Sequence, residues 1–83
     1  MNGTAVHEGI TQRLLEELGE SRWLHEQLMN RIEGRLKTRD ELERYIKILV
    51  GKLEQTKFRS DALLDRIDRN VRLLERLDRS NGE

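Results

Sequence analysis

Histidine is the side chain most often used for metal binding and for acid–base catalysis near neutral pH, and this chain has two. Neither His7 nor His25 has a second ligand three or four residues away, which is the spacing that a helix uses to hold zinc. The chain contains no cysteine, which excludes thiolate metal sites and disulfides. We therefore expect no metal site and no cofactor, and we interpret His25 as a tolerated residue of a helix–helix contact.

Catalytic constellations of other kinds are missing from the sequence as well. No nucleophile–base set, no pair of catalytic carboxylates and no phosphate-binding glycine loop can be written, because the six glycines are scattered singly. An elongated helical protein also lacks a pocket that would exclude water from a reaction. The sequence predicts that the chain is not an enzyme.

Charge and composition point to long helices that bind other proteins. The 16 acidic and 16 basic residues are interleaved and cancel, so no field attracts phosphates and we expect no nucleic-acid partner. No apolar run approaches the roughly 20 residues of a membrane span, so we expect no membrane partner. Proline is absent, and Leu, Glu and Arg dominate, as in coiled coils. Together with the lack of cysteine, these features suggest a cytoplasmic protein.

A seven-residue apolar repeat organises most of the chain. From Leu14 onward the repeat can be written without a phase shift, which predicts an all-α protein with one coiled-coil helix over residues 11–79. Residues 1–10 are then a flexible or frayed N-terminus, and residues 80–83 are a C-terminal tail. The predicted seam, which is the line of apolar a and d positions, consists of Leu18, Leu28, Ile32, Leu42, Ile46, Leu49, Leu53, Leu63, Ile67, Leu74 and Leu77.

The apolar surface is wider than this seam. The e positions of the repeat are also apolar, which makes an a/d/e stripe of the kind found in bundles and higher oligomers. A tetramer of two antiparallel pairs is therefore an alternative to a dimer. The apolar e positions are Leu15, Met29, Leu36, Val50, Leu64 and Val71.

Polar residues interrupt the seam and restrict how two copies can pair. In a parallel, in-register dimer each seam residue meets its own copy, so Arg35 and Arg39 would stack two successive layers of like charge. This cost favours the antiparallel arrangement. The polar layers that set the register are His25, Arg35, Arg39, Thr56, Ser60 and Asn70.

One antiparallel register satisfies almost the whole seam. When the numbers of facing residues add to 95, Leu42 meets Leu53 and Ile46 meets Leu49, and a shift by one heptad places apolar residues against polar ones. The seam is thus nearly palindromic, which a two-fold homodimer can use. In this register the polar layers also meet: His25 with Asn70, Arg35 with Ser60, and Arg39 with Thr56.

One signal favours a helical hairpin instead. Thr38-Arg-Asp-Glu41 fits a capping box, in which a threonine side chain and a glutamate three residues later cap a helix start, and Gly34 lies just before it. A break here would give one helix before Lys37 and a longer one after Thr38. The uninterrupted repeat favours the continuous helix over this alternative.

These patterns predict a structural module that self-associates and spaces or tethers attached domains. The alternative is a helical hairpin or coiled-coil binding module that recognises another coiled-coil protein, a partner helix or a small GTPase. Trp23 and Phe58, on the outer face of the repeat, are the candidate anchors for such docking.

A short resemblance bears on the choice of partner. The run Glu41-Leu-Glu-Arg-Tyr-Ile-Lys-Ile-Leu-Val50 resembles the helical core of the Rab-binding segment in the recycling-endosome family of Rab effectors, which has a similar Glu-Leu-Glu-x-Tyr-Ile-x-x-Leu run. The chain lacks the acidic residue that follows Tyr-Ile in that family and the proline-containing turn beyond it. The resemblance implies a small GTPase as a partner of these ten residues.

Overall fold

The computed structural model describes residues 3–21, 25–55 and 61–81, and all regular structure in these ranges is helical. The prediction of an all-α protein is confirmed. The chain divides into two compact units, Met1–Lys37 and Thr38–Glu83. The helices are α1 (Gly3–Glu20), α2 (Glu26–Glu33), α3 (Arg39–Gln55) and α4 (Asp61–Asn81).

The single helix predicted over residues 11–79 is not what the chain forms. The helical structure begins at Gly3, well before the predicted start, and it is divided into four helices. The unbroken repeat does not distinguish the two folds, because it shows only which face of a helix is apolar. Helices that pack against one another within a chain need an apolar face just as a single coiled-coil helix does. None of the described helices is long and apolar enough to cross a membrane.

The break between α2 and α3 has a local cause in the sequence. The Glu41 backbone N–H donates to Thr38 Oγ1, and the Thr38 backbone N–H donates to Glu41 Oε1, each at 3.2 Å. This reciprocal pair is the predicted capping box, and it satisfies two donors that a helix start leaves unpaired. Gly34, which disfavours a helix interior, ends the preceding helix with its N–H on Asn30 O at 3.1 Å.

We expect Thr38→Ala to lower the free energy of unfolding by about 1 kcal/mol, since an alanine at the first position of the cap cannot accept the Glu41 N–H. Urea unfolding followed by circular dichroism measures this change. Thr38→Ser keeps the hydroxyl and should stay close to the wild type. Equal losses in both variants would mean that the hydroxyl does not cap α3.

In the first unit, α1 packs against α2. Leu15 and Leu18 of α1 are fully buried, as is Ile32 of α2, and Met29 is nearly so. Their spacings of three residues place each pair on one side of its helix. Two of these four residues, Leu15 and Met29, are e positions, so the core of this unit lies toward the e side of the predicted seam.

In the second unit, α3 and α4 form an antiparallel hairpin. Arg39, at the start of α3, forms an ion pair with Asp78, near the end of α4. Contact between opposite ends is possible only if the two helices run in opposite directions. Facing residues of this hairpin therefore have numbers that add to about 117, which places Lys47 of α3 level with Asn70 of α4.

Candidate interaction surface

An ion network fixes the register of the α3–α4 hairpin at its open end. Arg39 Nε donates to Asp78 Oδ1, and Arg39 Nη2 lies 3.5 Å from Asp78 Oδ2. Arg39 Nη1 donates to Glu43 Oε2 at 2.8 Å. The bond to Asp78, followed by the charge of Asp78, raises the pKa of Arg39. Because these groups are exposed, the network sets alignment and adds little stability.

The core of this hairpin comes from the middle of α3. Tyr45 and Leu49 are fully buried, and Leu42 and Ile46 are almost so. Leu63 is the corresponding buried aliphatic residue of α4. Burying a side chain of this size stabilises the fold by about 1.5–3 kcal/mol, so these residues hold the unit together.

On α4, the buried side does not coincide with the apolar side. Arg66 and Asn70 are buried, and the Asn70 exposed fraction is only 2%. Asn70 Nδ2 donates to Arg66 O at 2.8 Å, which offsets part of the cost of burying the amide. The neighbouring apolar residues, Ile67 and Val71, remain partly exposed. The helix is thus rotated so that part of its apolar face points to solvent.

Six apolar residues of α3 and α4 stay partly exposed along the hairpin, and we call them the open stripe. On α4, Leu64, Ile67, Val71 and Leu74 recur at spacings of three and four residues and so share one side of the helix, whereas Leu77 is in line with Asn70, seven residues earlier. Val50 of α3 belongs to the same rim, because e positions flank e positions in an antiparallel pair, and it is 36% exposed. The open stripe consists of Val50, Leu64, Ile67, Val71, Leu74 and Leu77, all partly exposed.

The rim of the hairpin on the g side, opposite the open stripe, contains buried residues although these residues are mostly polar. Lys52, Arg66 and Tyr45 are buried on this side, all at g positions. Long basic side chains can lie their methylene stems along apolar surface, which explains why a polar rim can be buried. Leu73 is exposed on this side at 47%, and its apolar neighbour one turn along α4 is Leu77.

The predicted seam residues fall into two groups by their exposure in the structure. Those that are buried are Leu18, Ile32, Leu42, Ile46, Leu49 and Leu63. Those that stay partly exposed are Leu28, Leu53, Ile67, Leu74 and Leu77. The second group is concentrated on α4, where it supplies half of the open stripe. Val50, Leu64 and Val71 were not among the predicted site residues. Their apolar side chains at e positions of the repeat were the sequence feature that indicated them.

The predicted polar layers have different surroundings. Asn70 is buried, and Arg39 is bound by Asp78 and Glu43. Arg35 is partly buried, and its Nε is buried with no hydrogen-bond acceptor among the described residues. His25 is exposed. The remaining predicted residues, Thr56, Ser60, Trp23 and Phe58, lie outside the described residues.

Within the described ranges, no group of three or more histidine, cysteine or acidic residues is placed to hold a metal ion. His7 instead lies 3.4 Å from Thr11, between Nε2 and the hydroxyl oxygen, one helical turn away. Comparisons of the chain with protein families, with curated proteins and with solved structures find no match.

Proposed function

We propose that the chain is a self-associating helical module, and that two copies joined through the open stripe tether whatever is attached to their ends. The assembly that fits the sequence is an antiparallel homodimer, with a tetramer of two such pairs as the larger alternative. The module acts by binding a second copy.

One observation carries this proposal: α4 turns apolar residues to solvent while it buries Arg66 and Asn70. An isolated monomer gains nothing from exposing Ile67 and Val71 in this way, whereas a partner would remove their apolar area from water at about 25 cal/mol per Å². A continuous apolar surface rimmed by charged residues is typical of a protein–protein contact.

The sequence favours a second copy as the partner. A two-fold contact requires a self-complementary surface, because each residue meets the residue that its copy presents. The open stripe is wholly aliphatic, so a second copy offers aliphatic residues to aliphatic residues. The equal numbers of acidic and basic residues also allow two identical surfaces to approach without net repulsion.

Self-association predicts unfolding that depends on protein concentration. A dimer that forms only from folded chains is stabilised by mass action, so each tenfold rise in concentration should raise the melting midpoint. Circular dichroism melts over a hundredfold range of concentration measure this shift. A midpoint that is independent of concentration would argue for a monomeric module.

The second candidate is a binding module for a helix of another protein. The open stripe favours it, because an amphipathic helix can lie along such a surface with residues spaced by three and four. A small GTPase that uses the Glu41–Val50 run is less well supported. Tyr45 and Leu49 carry that resemblance, and both are fully buried within the chain.

A further inference from the structure

Two exposed arginines of α4 have no partner within the hairpin. Arg69 and Arg76 are seven residues apart, which is close to two turns, so they lie in line along the helix about 10 Å from each other. Neither forms a hydrogen bond or an ion pair with another described residue. Asp65, one turn before Arg69, is exposed and does not pair with it. Two guanidinium groups are therefore available to bind anionic groups from outside the chain.

The other two exposed arginines of α4 already have partners. Arg72 Nη2 lies 3.1 Å from Asp68 Oδ2, and Arg79 Nη2 lies 3.9 Å from Glu75 Oε2. Asp68 and Glu75 lie at b positions, next to the e positions that carry the open stripe. Arg69 and Arg76 lie at c positions, next to the g side. The positive charge of α4 is thus neutralised near the open stripe and left unpaired toward the g side, although the whole chain is neutral.

Apolar side chains accompany the unpaired arginines. Leu73 is four residues after Arg69 and three before Arg76, so the three share one side of α4, and Leu73 is 47% exposed. Ile48 of α3 is partly exposed and is level with Arg69 in the register of the hairpin. It lies at a c position, which is also next to the g side. We call Ile48, Arg69, Leu73 and Arg76 the arginine face.

The chemistry of the arginine face indicates carboxylates on a helix. A guanidinium group matches a carboxylate through two parallel hydrogen bonds. A partner helix that lies along α4 can present carboxylates at the same seven-residue spacing, with an apolar residue between them to cover Leu73. Nucleic acid fits this face less well, because the face has no aromatic side chain on which a base could stack and the neutral chain has no field that attracts a phosphate backbone.

We propose that the arginine face is a second interaction surface, and that its partner is an acidic amphipathic helix of another protein. The partner binds Arg69 and Arg76 through carboxylates seven residues apart, and it covers Leu73 with an apolar side chain. The arginine face and the open stripe lie on different sides of α4, so the chain can bind this helix and a second copy together. This contact goes beyond the proposed self-association and does not depend on it.

A designed peptide provides the probe for this surface. It is a fluorescently labelled helix of about 20 residues, with glutamates seven residues apart and a leucine between each pair. Fluorescence anisotropy with the full chain should show saturable binding that weakens as salt is added, because exposed charges are screened. The same peptide with glutamine in place of glutamate should bind about tenfold more weakly, since hydrogen bonds to charged groups are stronger than those to neutral groups.

The two arginines are tested by a double variant with a matched control. Arg69→Gln together with Arg76→Gln should weaken binding of the glutamate peptide about tenfold or more, while the sedimentation mass of the chain stays that of the wild type. The control, Lys47→Gln together with Arg79→Gln, removes the same two charges from exposed cations that pair with Glu43 and Glu75. The control should bind the peptide within a few-fold of the wild type.

Three results would overturn the inference. Equal weakening by the two double variants would mean a general electrostatic attraction and no defined face. Absence of saturable binding to the glutamate peptide, or tighter binding of a single-stranded oligonucleotide at the same salt concentration, would exclude the acidic helix as the partner. A loss of self-association in the variant with both Arg69→Gln and Arg76→Gln would make a second copy the occupant of this face.

Discussion

Leu49→Asp is expected to unfold the α3–α4 hairpin and to abolish every form of association. Leu49 is 0% exposed, so the new carboxylate would be buried without a partner. An uncompensated charge in such a position costs about 3–5 kcal/mol. This approaches the whole stability of a small domain, which begins near 5 kcal/mol. Circular dichroism at 222 nm should show a large loss of helix at room temperature.

The matched control for this change is Lys47→Asp, two residues earlier on the solvent side of α3. The Lys47 side chain is 74% exposed, and its ion pair with Glu43 is of the exposed i,i+4 kind. Losing this pair and adding a like charge should cost less than about 1 kcal/mol. An equally severe effect of the two changes would show that α3 does not bury the face assigned to it.

Val71→Asp is expected to separate the copies while leaving each chain folded. Val71 is only partly buried in the single chain, so the carboxylate can stay hydrated there. In the dimer two carboxylates would be covered without partners, which costs several kcal/mol for each buried charge. The dimer dissociation constant should therefore rise on the order of 100-fold or more. Sedimentation velocity over a concentration series measures this constant.

Leu73→Asp is the control for the open stripe. Leu73 also lies on α4 and is 47% exposed, but it is on the opposite rim. The substitution makes the same change in charge and nearly the same change in size. We expect a dissociation constant within a few-fold of the wild type. A larger effect for Leu73→Asp than for Val71→Asp would move the contact to the g-side rim.

The repeat predicted the apolar faces of the helices, and the capping box predicted where α3 begins. Between Gly34 and Arg39 the capping box, and not the repeat, determines the local structure. Thr38 and Glu41 satisfy backbone donors at 3.2 Å, which is a local reason to stop a helix. The phase of the repeat through Gly34 carries no such information, because two packed helices need inward apolar faces in any case.

The rotation of α4 could not be predicted from residue classes. The repeat placed both Asn70 and Ile67 in the seam, with Val71 beside it at an e position, and it left Arg66 on the polar g side. Asn70 is tolerated inside because its amide bonds to Arg66 O at 2.8 Å, and Arg66 can be covered because its stem is aliphatic. The surface that we propose for binding arises from this difference, and only the apolar e positions hinted at it.

Sedimentation equilibrium of the wild-type chain tests the central claim most directly, since mass in solution depends on neither shape nor label. The mass should rise with concentration from 9.9 kDa toward twice that value, while Val71→Asp should stay at the lower limit over the same range. A wild-type mass of 9.9 kDa at every concentration would contradict self-association through the open stripe.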